Sequence, residues 1–299
     1  MNKLKLTFVV PTKDRPDELR RLLKSLETQT RPPDEVLVVD GGAAPVREVV
    51  EECRGLQVRY LRSLPPSATR QRNTGILAVR PDHDLIGILD DDSILAPGAC
   101  EEMLRFWETA SADVGGTSFN LVNLPPLFAS GLKHLRLAER IGLYSRTQGT
   151  VLPSGFQVML SELTENRPVQ WLPSGTSVWR RTVFLKFRFD EWYSGYSYLE
   201  DLDFSYQVGK SFALVIVAAA RQYHYPSPRG RMNGFRFGQK EVANRLHFVR
   251  KHKELSVAKC YLALTIRACL SLVLAVRERD CDYIRRTAGN VVGLVKSLV

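Results

Sequence analysis

The first third of the chain alternates short, wholly apolar runs with longer segments whose apolar residues recur every three or four positions. Residues 4–10, apolar except for Lys5 and Thr7, read as a buried strand. Next, Leu19, Leu22, Leu23 and Leu26 share one helical face, with Pro16 and Asp17 where a helix start tolerates them. A second buried strand, 36–39, ends at Asp40-Gly41-Gly42. A helix, a strand near 57–61, a helix after Ser67 and the run 85–89 follow. Strands alternating with helices predict an α/β fold: a Rossmann-like, mostly parallel sheet with helices on both faces. No GxGxxG phosphate loop accompanies it.

The pattern weakens from 118 to 170. Pro125-Pro126, Pro153 and Pro168 interrupt it, and only 132–141 carries a modest helical period, so this stretch reads as an insertion that lines the site or a surface excursion. Residues 171–184, a loop, a strand at 213–219 and a helical C-terminal sixty residues complete the chain. Residues 257–276 are unusually apolar, interrupted by Lys259 and Arg267. A spanning helix needs about 20 apolar residues, and a central Arg costs about 2.5–3.5 kcal/mol on insertion scales. Three readings stay open for 257–276: a membrane span, an interfacial or oligomeric contact, and a buried annex helix.

Composition narrows the class. With 44% hydrophobic residues in 299, a large core is available. Five scattered cysteines without a CxxC pair argue for a reducing compartment and against a cysteine metal site. The first residues hold too short an apolar stretch for a signal peptide, and a cytoplasmic protein is expected. The net charge is +10, and 221–253 carries nine Lys/Arg against one acid, Glu241. Such a stretch predicts contact with phosphate. No nucleic-acid-binding motif accompanies it, so nucleic acid is not the expected partner.

The richest chemistry lies at Asp90-Asp91-Asp92, directly after the strand 85–89. Carboxyl ends of strands hold the ligand in open α/β sheets. Residues two apart on a strand face one way, so Asp90 and Asp92 can converge while Asp91 points elsewhere. A hard cation such as Mg²⁺ or Mn²⁺ offsets the repulsion between them. The alternative is a solvated acidic turn.

Four segments fall at carboxyl ends of this sheet: VVPTKDRP, VVDGG, ATRQRNTGI and LDDDS. WLPSGTSVWRRTVF, FDEWYSGYSYLEDLDF and AAARQYHYPSP follow in order. Over residues 4–253 this series resembles the family-2 glycosyltransferases, inverting enzymes with the GT-A fold. The resemblance implies a GT-A domain at 1–255, with a nucleotide-sugar half (1–117) and an acceptor half (118–255), and a helical segment at 256–299. It implies a nucleoside-diphosphate sugar donor, with UDP or dTDP favoured, and a carbohydrate or lipid-linked acceptor.

Residue by residue, the resemblance puts Pro11, Thr12 and Asp14 beside the nucleoside and Asp40 on the base, whose imide N–H a carboxylate can accept. Arg70, Arg72 and Asn73 approach ribose and phosphates. Asp90 and Asp91 join the nucleotide sugar, and Asp92 ligates the metal, Mg²⁺ or Mn²⁺. His224 matches a late histidine that completes the metal site in some members; its alternative is a stacking role between Tyr223 and Tyr225. Asp201 becomes the general base, with Glu200 beside it. Trp192 and Tyr196 offer aromatic faces to an acceptor sugar, and Arg229 and Arg231 fit a loop over the diphosphate.

Other classes remain open at this stage: a nucleotidyltransferase on a similar fold, a non-catalytic nucleotide-sugar binder, and a charge-driven nucleic-acid binder. Peripheral membrane contact through 257–276 at the inner face of the plasma membrane is a further expectation, and a homo-oligomer stays open.

Overall fold

The computed structural model describes residues 3–123, 139, 142–160, 162–227 and 232–298. The helical pattern at 132–141 and the loop arginines Arg229 and Arg231 lie outside the described residues. The chain divides into two compact units, Met1–Leu127 with Leu160–Gly230, and Phe128–Met159 with Arg231–Val299.

The first unit is built on a mixed sheet with, among the described residues, nine strands: β1 Leu6–Thr12, β2 Glu35–Asp40, β3 Val58–Arg62, β4 Leu85–Leu89, β5 Ser93–Leu95, β6 Val114–Leu121, β7 Arg167–Val169, β8 Thr176–Arg180 and β9 Ala213–His224. Their order is β3-β2-β1-β4-β8-β6-β9-β5, with β7 beside β9. The first four are parallel, as the alternating pattern predicts. Strand β8 then runs antiparallel to both β4 and β6, while β6 and β9 are parallel. The chain leaves β1 in opposite directions toward β2 and β4, so the carboxyl ends of β1 and β4 flank a topological switch point.

Helices α1 (Pro16–Glu27), α2 (Arg47–Glu52), α3 (Ala68–Ala78), α4 (Ala99–Thr109) and α5 (Glu200–Gly209) complete this unit. Helix α1 begins at Pro16, carries Asp17 and Glu18 in its first turn and buries Leu19, Leu22, Leu23 and Leu26. These leucines share a core with Leu6, Phe8 and Val10 of β1 and with Met103, Leu104 and Trp107 of α4. Helix α4 and most of β6 were not distinguished in the sequence pattern. Residues 118–121 belong to β6, so the regular sheet extends into the stretch read as an insertion.

The second unit contains α6 (Gly234–Lys251), α7 (Val257–Glu278) and α8 (Cys281–Lys296). Side chains of Asn233, Ser256 and Asp280 cap the three helices. Backbones of α6 and α8 nearly touch: a Cβ on Gly238 would lie 2.2 Å from the Arg286 carbonyl oxygen. This packing groups α6 with the two C-terminal helices in one unit. Arg245, part of the basic stretch, does not face phosphate. It is 2% exposed and donates to the Gly155 carbonyl (2.6 Å) and Gln157 Oε1 (2.8 Å).

Helix α7 is long and apolar enough to cross a membrane by length and composition. It is not the wholly buried annex helix that one reading allowed. Cys260, Leu264, Ala268, Ser271 and Ala275 are buried on one face, while Leu262, Leu272, Val273 and Val276 stay exposed on the other.

Candidate active site

After β4 the chain turns instead of continuing as strand, and Ser93 N–H donates to the Asp90 carbonyl (3.2 Å). The turn separates the three carboxylates. Asp90 and Asp92 share a cluster with His224, their ligand atoms all within 4.8 Å of one another. His224, the last residue of β9, sits opposite Ser93 of β5 in antiparallel register. Its Nε2 lies 3.1 Å from Asp92 Oδ1, and Asp92 Oδ2 accepts from Ser227 N–H (3.0 Å). Burial pushes the Asp92 carboxyl up, but the contacts from His224 and Ser227 outweigh it and hold the group below its ordinary value. Two carboxylates and an imidazole are donors that fit Mn²⁺ or Mg²⁺.

Asp91 faces the other way. Its Oδ2 accepts from Thr12 Oγ1 (2.8 Å) and its Oδ1 pairs with Arg15 (2.9 Å), which also reaches Asp92 (3.5 Å). Asp91 is 3% exposed, and burial raises its pKa to about 6 against the pull of Arg15 and Thr12. Both oxygens tie the segment from the end of β1 to the end of β4. Thr12 spends its hydroxyl on the same contact, while Pro11 is enclosed in β1 opposite Val39. Arg15 had no assigned role in the sequence; its position inside VVPTKDRP was the available signal.

Asp40 is engaged inside the fold as well. It is fully buried, and Gly42 N–H (2.7 Å), Val46 N–H (3.1 Å), Tyr60 Oη (2.7 Å) and Arg62 (2.7 Å) all donate to it. Burial raises its pKa, these donors outweigh that effect, and the net direction is down. This carboxylate holds β2, β3 and the following loop together; three of its four donors fall on Oδ2, and among the described residues Oδ1 accepts only from Gly42 N–H. Asp14, at a left-handed φ of 54°, clamps the same loop through the Ala43 (2.8 Å) and Ala44 (3.3 Å) N–H groups.

The α3 residues expected near the phosphates are also engaged. Asn73 donates to the Phe189 carbonyl (2.9 Å) and Glu191 (3.1 Å) and accepts from Phe189 N–H (3.1 Å), fixing the loop before α5. Arg70 pairs with Glu191 at 3.4 Å, both side chains well exposed. Arg72 is 4% exposed, pairs with Asp90 at 3.1 Å and with Glu200, and lies over the Phe189 ring. Burial disfavours its charge, but Glu200 and Asp90 outweigh that and keep it charged, so it joins two acidic groups.

The loop before α5 holds Ser197 and Leu199 at φ 49° and 74°. For a buried leucine that conformation is strained, and it sits immediately before Glu200 and Asp201. Burial pushes the Glu200 carboxyl up, with Arg72 pulling against it. Burial also raises Asp201, and the Asp90 charge adds to that direction. Asp201 Oδ1 accepts from Leu202 N–H (2.8 Å), and its second oxygen accepts no hydrogen bond among the described residues. Trp192 (49%) and Tyr196 (47%) are the exposed aromatics of this loop, whereas Tyr193 is buried. Gly175 packs on Asp90, and a Cβ there would lie 2.2 Å from Asp90 Oδ2. Its position in the segment WLPSGTSVWRRTVF had hinted at nothing so specific.

Comparison with known proteins bears on this arrangement. The sequence model of glycosyl transferase family 2 matches residues 7–162. An uncharacterized glycosyltransferase of Haemophilus influenzae is 35% identical over 104 residues, 34% of this chain and 34% of that protein. The match thus spans about a third of that relative's length. Among solved structures, S. aureus TarS superposes with a TM-score of 0.54 at 16% identity, over 95% of this chain and 55% of TarS. TarS 1–349 in complex with UDP-GlcNAc gives a TM-score of 0.54 at 14% identity, over 97% of this chain and 90% of that one. GalNAc-T7 with UDP, GalNAc and Mn²⁺ gives 0.62 at 16% identity, over 89% of this chain and 51% of its own. These likenesses place the fold among the GT-A glycosyltransferases.

Proposed function

The chain belongs to glycosyl transferase family 2, and from that premise we propose that it moves one sugar, with inversion, from a UDP- or dTDP-sugar to a hydroxyl of a carbohydrate or lipid-linked acceptor. The observation that carries this reading is the buried Arg72 bridge: one guanidinium joins Asp90 of the Asp90–Asp92–His224 cluster to Glu200, the neighbour of Asp201. A group that can manage a diphosphate and a group that can take a proton are thereby held side by side.

In the proposed step the acceptor oxygen attacks the anomeric carbon as the bond from that carbon to the diphosphate oxygen breaks. The bonding pair leaves with the diphosphate. The acceptor proton passes to the open oxygen of Asp201, which must be ionised to receive it. Asp90, Asp92 and His224 would hold a divalent cation, which supplies charge neutralisation for the leaving diphosphate. Arg72 keeps Glu200 and Asp90 at fixed spacing and adds positive charge to the wall of the site. Trp192 and Tyr196 provide apolar faces for a sugar ring.

Support for a uracil nucleotide comes from the neighbours described with UDP and UDP-GlcNAc. Calorimetric titration with UDP and dTDP, with and without Mn²⁺, tests the donor half. Metal-dependent binding that disappears in Asp92→Ala is expected; metal-independent binding, or binding indifferent to that change, counts against the assignment.

The exposed side of α7 supports an acceptor presented at a membrane. Residues 250–299 carry ten Lys/Arg against four Asp/Glu, which suits an anionic lipid surface on the cytoplasmic side. Flotation with anionic vesicles is expected to carry the protein, and carriage should weaken in Val273→Glu/Val276→Glu. Equal flotation of both proteins would remove this part of the proposal.

A further inference from the structure

A carboxylate ligand serves a cation best when its rotation is fixed, because its terminal torsion is otherwise soft. At Asp92 the fixing group is a backbone donor. Oδ2 accepts from Ser227 N–H (3.0 Å), which leaves Oδ1 at 3.1 Å from His224 Nε2. Arg15 reaches the same Oδ2 at 3.5 Å, a longer contact. Pro226 and Pro228 flank Ser227 and have no N–H, so of these three residues only Ser227 can hold Asp92 in this way. The donor must itself be held in place.

Its anchor is a side chain far away in the sequence. The Ser227 hydroxyl donates to Glu18 Oε1 at 2.8 Å, across 209 positions. Both residues are buried. Glu18 lies in the first turn of α1, and the next turns of that helix bury Leu19, Leu22, Leu23 and Leu26 in the core. A rigid element therefore carries the acceptor. His224 has a separate support: its N–H donates to Asn123 Oδ1, and its carbonyl accepts from Asn123 Nδ2, both at 2.8 Å. A first-turn glutamate usually serves the helix dipole, which it can do from an exposed position. Burial of Glu18 against Ser227 is what the dipole does not explain.

We propose that Glu18 is a positioning residue for the divalent cation: through Ser227 it fixes the Asp92 carboxylate and so sets the metal affinity of the Asp90–Asp92–His224 cluster. The inference rests on the metal-assisted reading above and adds a residue outside the cluster to it. Groups that orient a ligating carboxylate are typically worth about 10–100-fold in metal affinity. The lower end is expected here, because Arg15 still reaches Oδ2 when Ser227 loosens.

Mn²⁺ titrated into the full chain, with the free ion followed by electron paramagnetic resonance, tests this. Glu18→Ala and Ser227→Ala should each weaken Mn²⁺ binding by about tenfold. The double variant should bind no more weakly than either single one, because both changes break the same link. Glu18→Gln keeps an oxygen for the Ser227 hydroxyl and should stay close to the unaltered protein. A merely structural glutamate would lower the thermal midpoint and leave Mn²⁺ affinity where it was. Ser227→Ala removes a single hydroxyl and retains the Glu18 charge, so it decides the matter even if Glu18→Ala does not fold. Unchanged affinity in Ser227→Ala, losses that add in the double variant, or a loss in Glu18→Gln as large as in Glu18→Ala would overturn the role of Glu18. If the unaltered protein binds no Mn²⁺ with UDP present or absent, the metal-assisted reading itself has failed.

Discussion

Replacing Asp201 by asparagine should lower kcat by about 10²–10⁴-fold, the range a positioned general base contributes, while UDP affinity stays within about twofold. Asparagine keeps the size of the side chain and can still accept from Leu202 N–H, so the first turn of α5 retains its cap contact. What it removes is the oxygen that receives the acceptor proton. A comparable loss of UDP binding would show that Asp201 shapes the donor site instead.

The same residue sets an expectation for pH. Asp201 works as the anion, and burial raises its pKa above the ordinary aspartate value of 3.8. Activity should therefore rise with pH through that raised value, giving an acid limb shifted upward from that of an exposed aspartate. Arg72 opposes the shift, so Arg72→Met should move the limb further upward in addition to lowering kcat. A limb unmoved by Arg72→Met would separate this arginine from the titrating group.

Removal of the buried anion in the helical unit should have the largest effect on stability. Glu241 of α6 is 1% exposed and accepts from Arg286 of α8 (2.6 and 3.1 Å) and Asn290 (3.1 Å), with Arg267 of α7 at 3.7 Å. Glu241→Ala leaves two guanidinium groups near an unfilled, poorly solvated site, at a cost of about 3–5 kcal/mol. Urea unfolding followed by far-ultraviolet circular dichroism measures it.

Burial raises the Glu241 pKa, but its three partners outweigh that and lower it overall. The stabilisation is thus present above the unfolded-state pKa and is lost as pH falls through the depressed folded value. All four tryptophans, Trp107, Trp171, Trp179 and Trp192, lie in the sheet unit, so their fluorescence reports that unit separately. A loss below about 1 kcal/mol would mean that the three helices are held by their close glycine contacts and apolar packing rather than by this charge cluster.

Local pattern was enough to read the parallel half of the sheet. Strand β1 is largely apolar, β2 and β4 hold the continuous apolar runs 36–39 and 85–89, and α1 has its leucines on one face and its proline at the first turn. The carboxylate-rich end of β4 and the Glu200-Asp201 pair were legible for the same reason: adjacent acids are conspicuous in a chain where most acids are scattered. Helix α4 and strands β5 and β6 were missed, because nothing in 93–121 separated them as clearly from their surroundings.

By itself, the sequence determined the α/β class, the family and the residues around which chemistry could gather. Only the tertiary structure decided what each of those residues is free to do. Arg72 meets Glu200 across 128 positions of sequence, and His224 meets Asp92 across 132. Asp40, Asp91 and Asn73 carry the right chemical groups for ligand contact, yet each also ties segments of the fold together. Hydrogen-bond capacity is a property of the surroundings, and the surroundings of these residues are assembled from segments that only folding brings together.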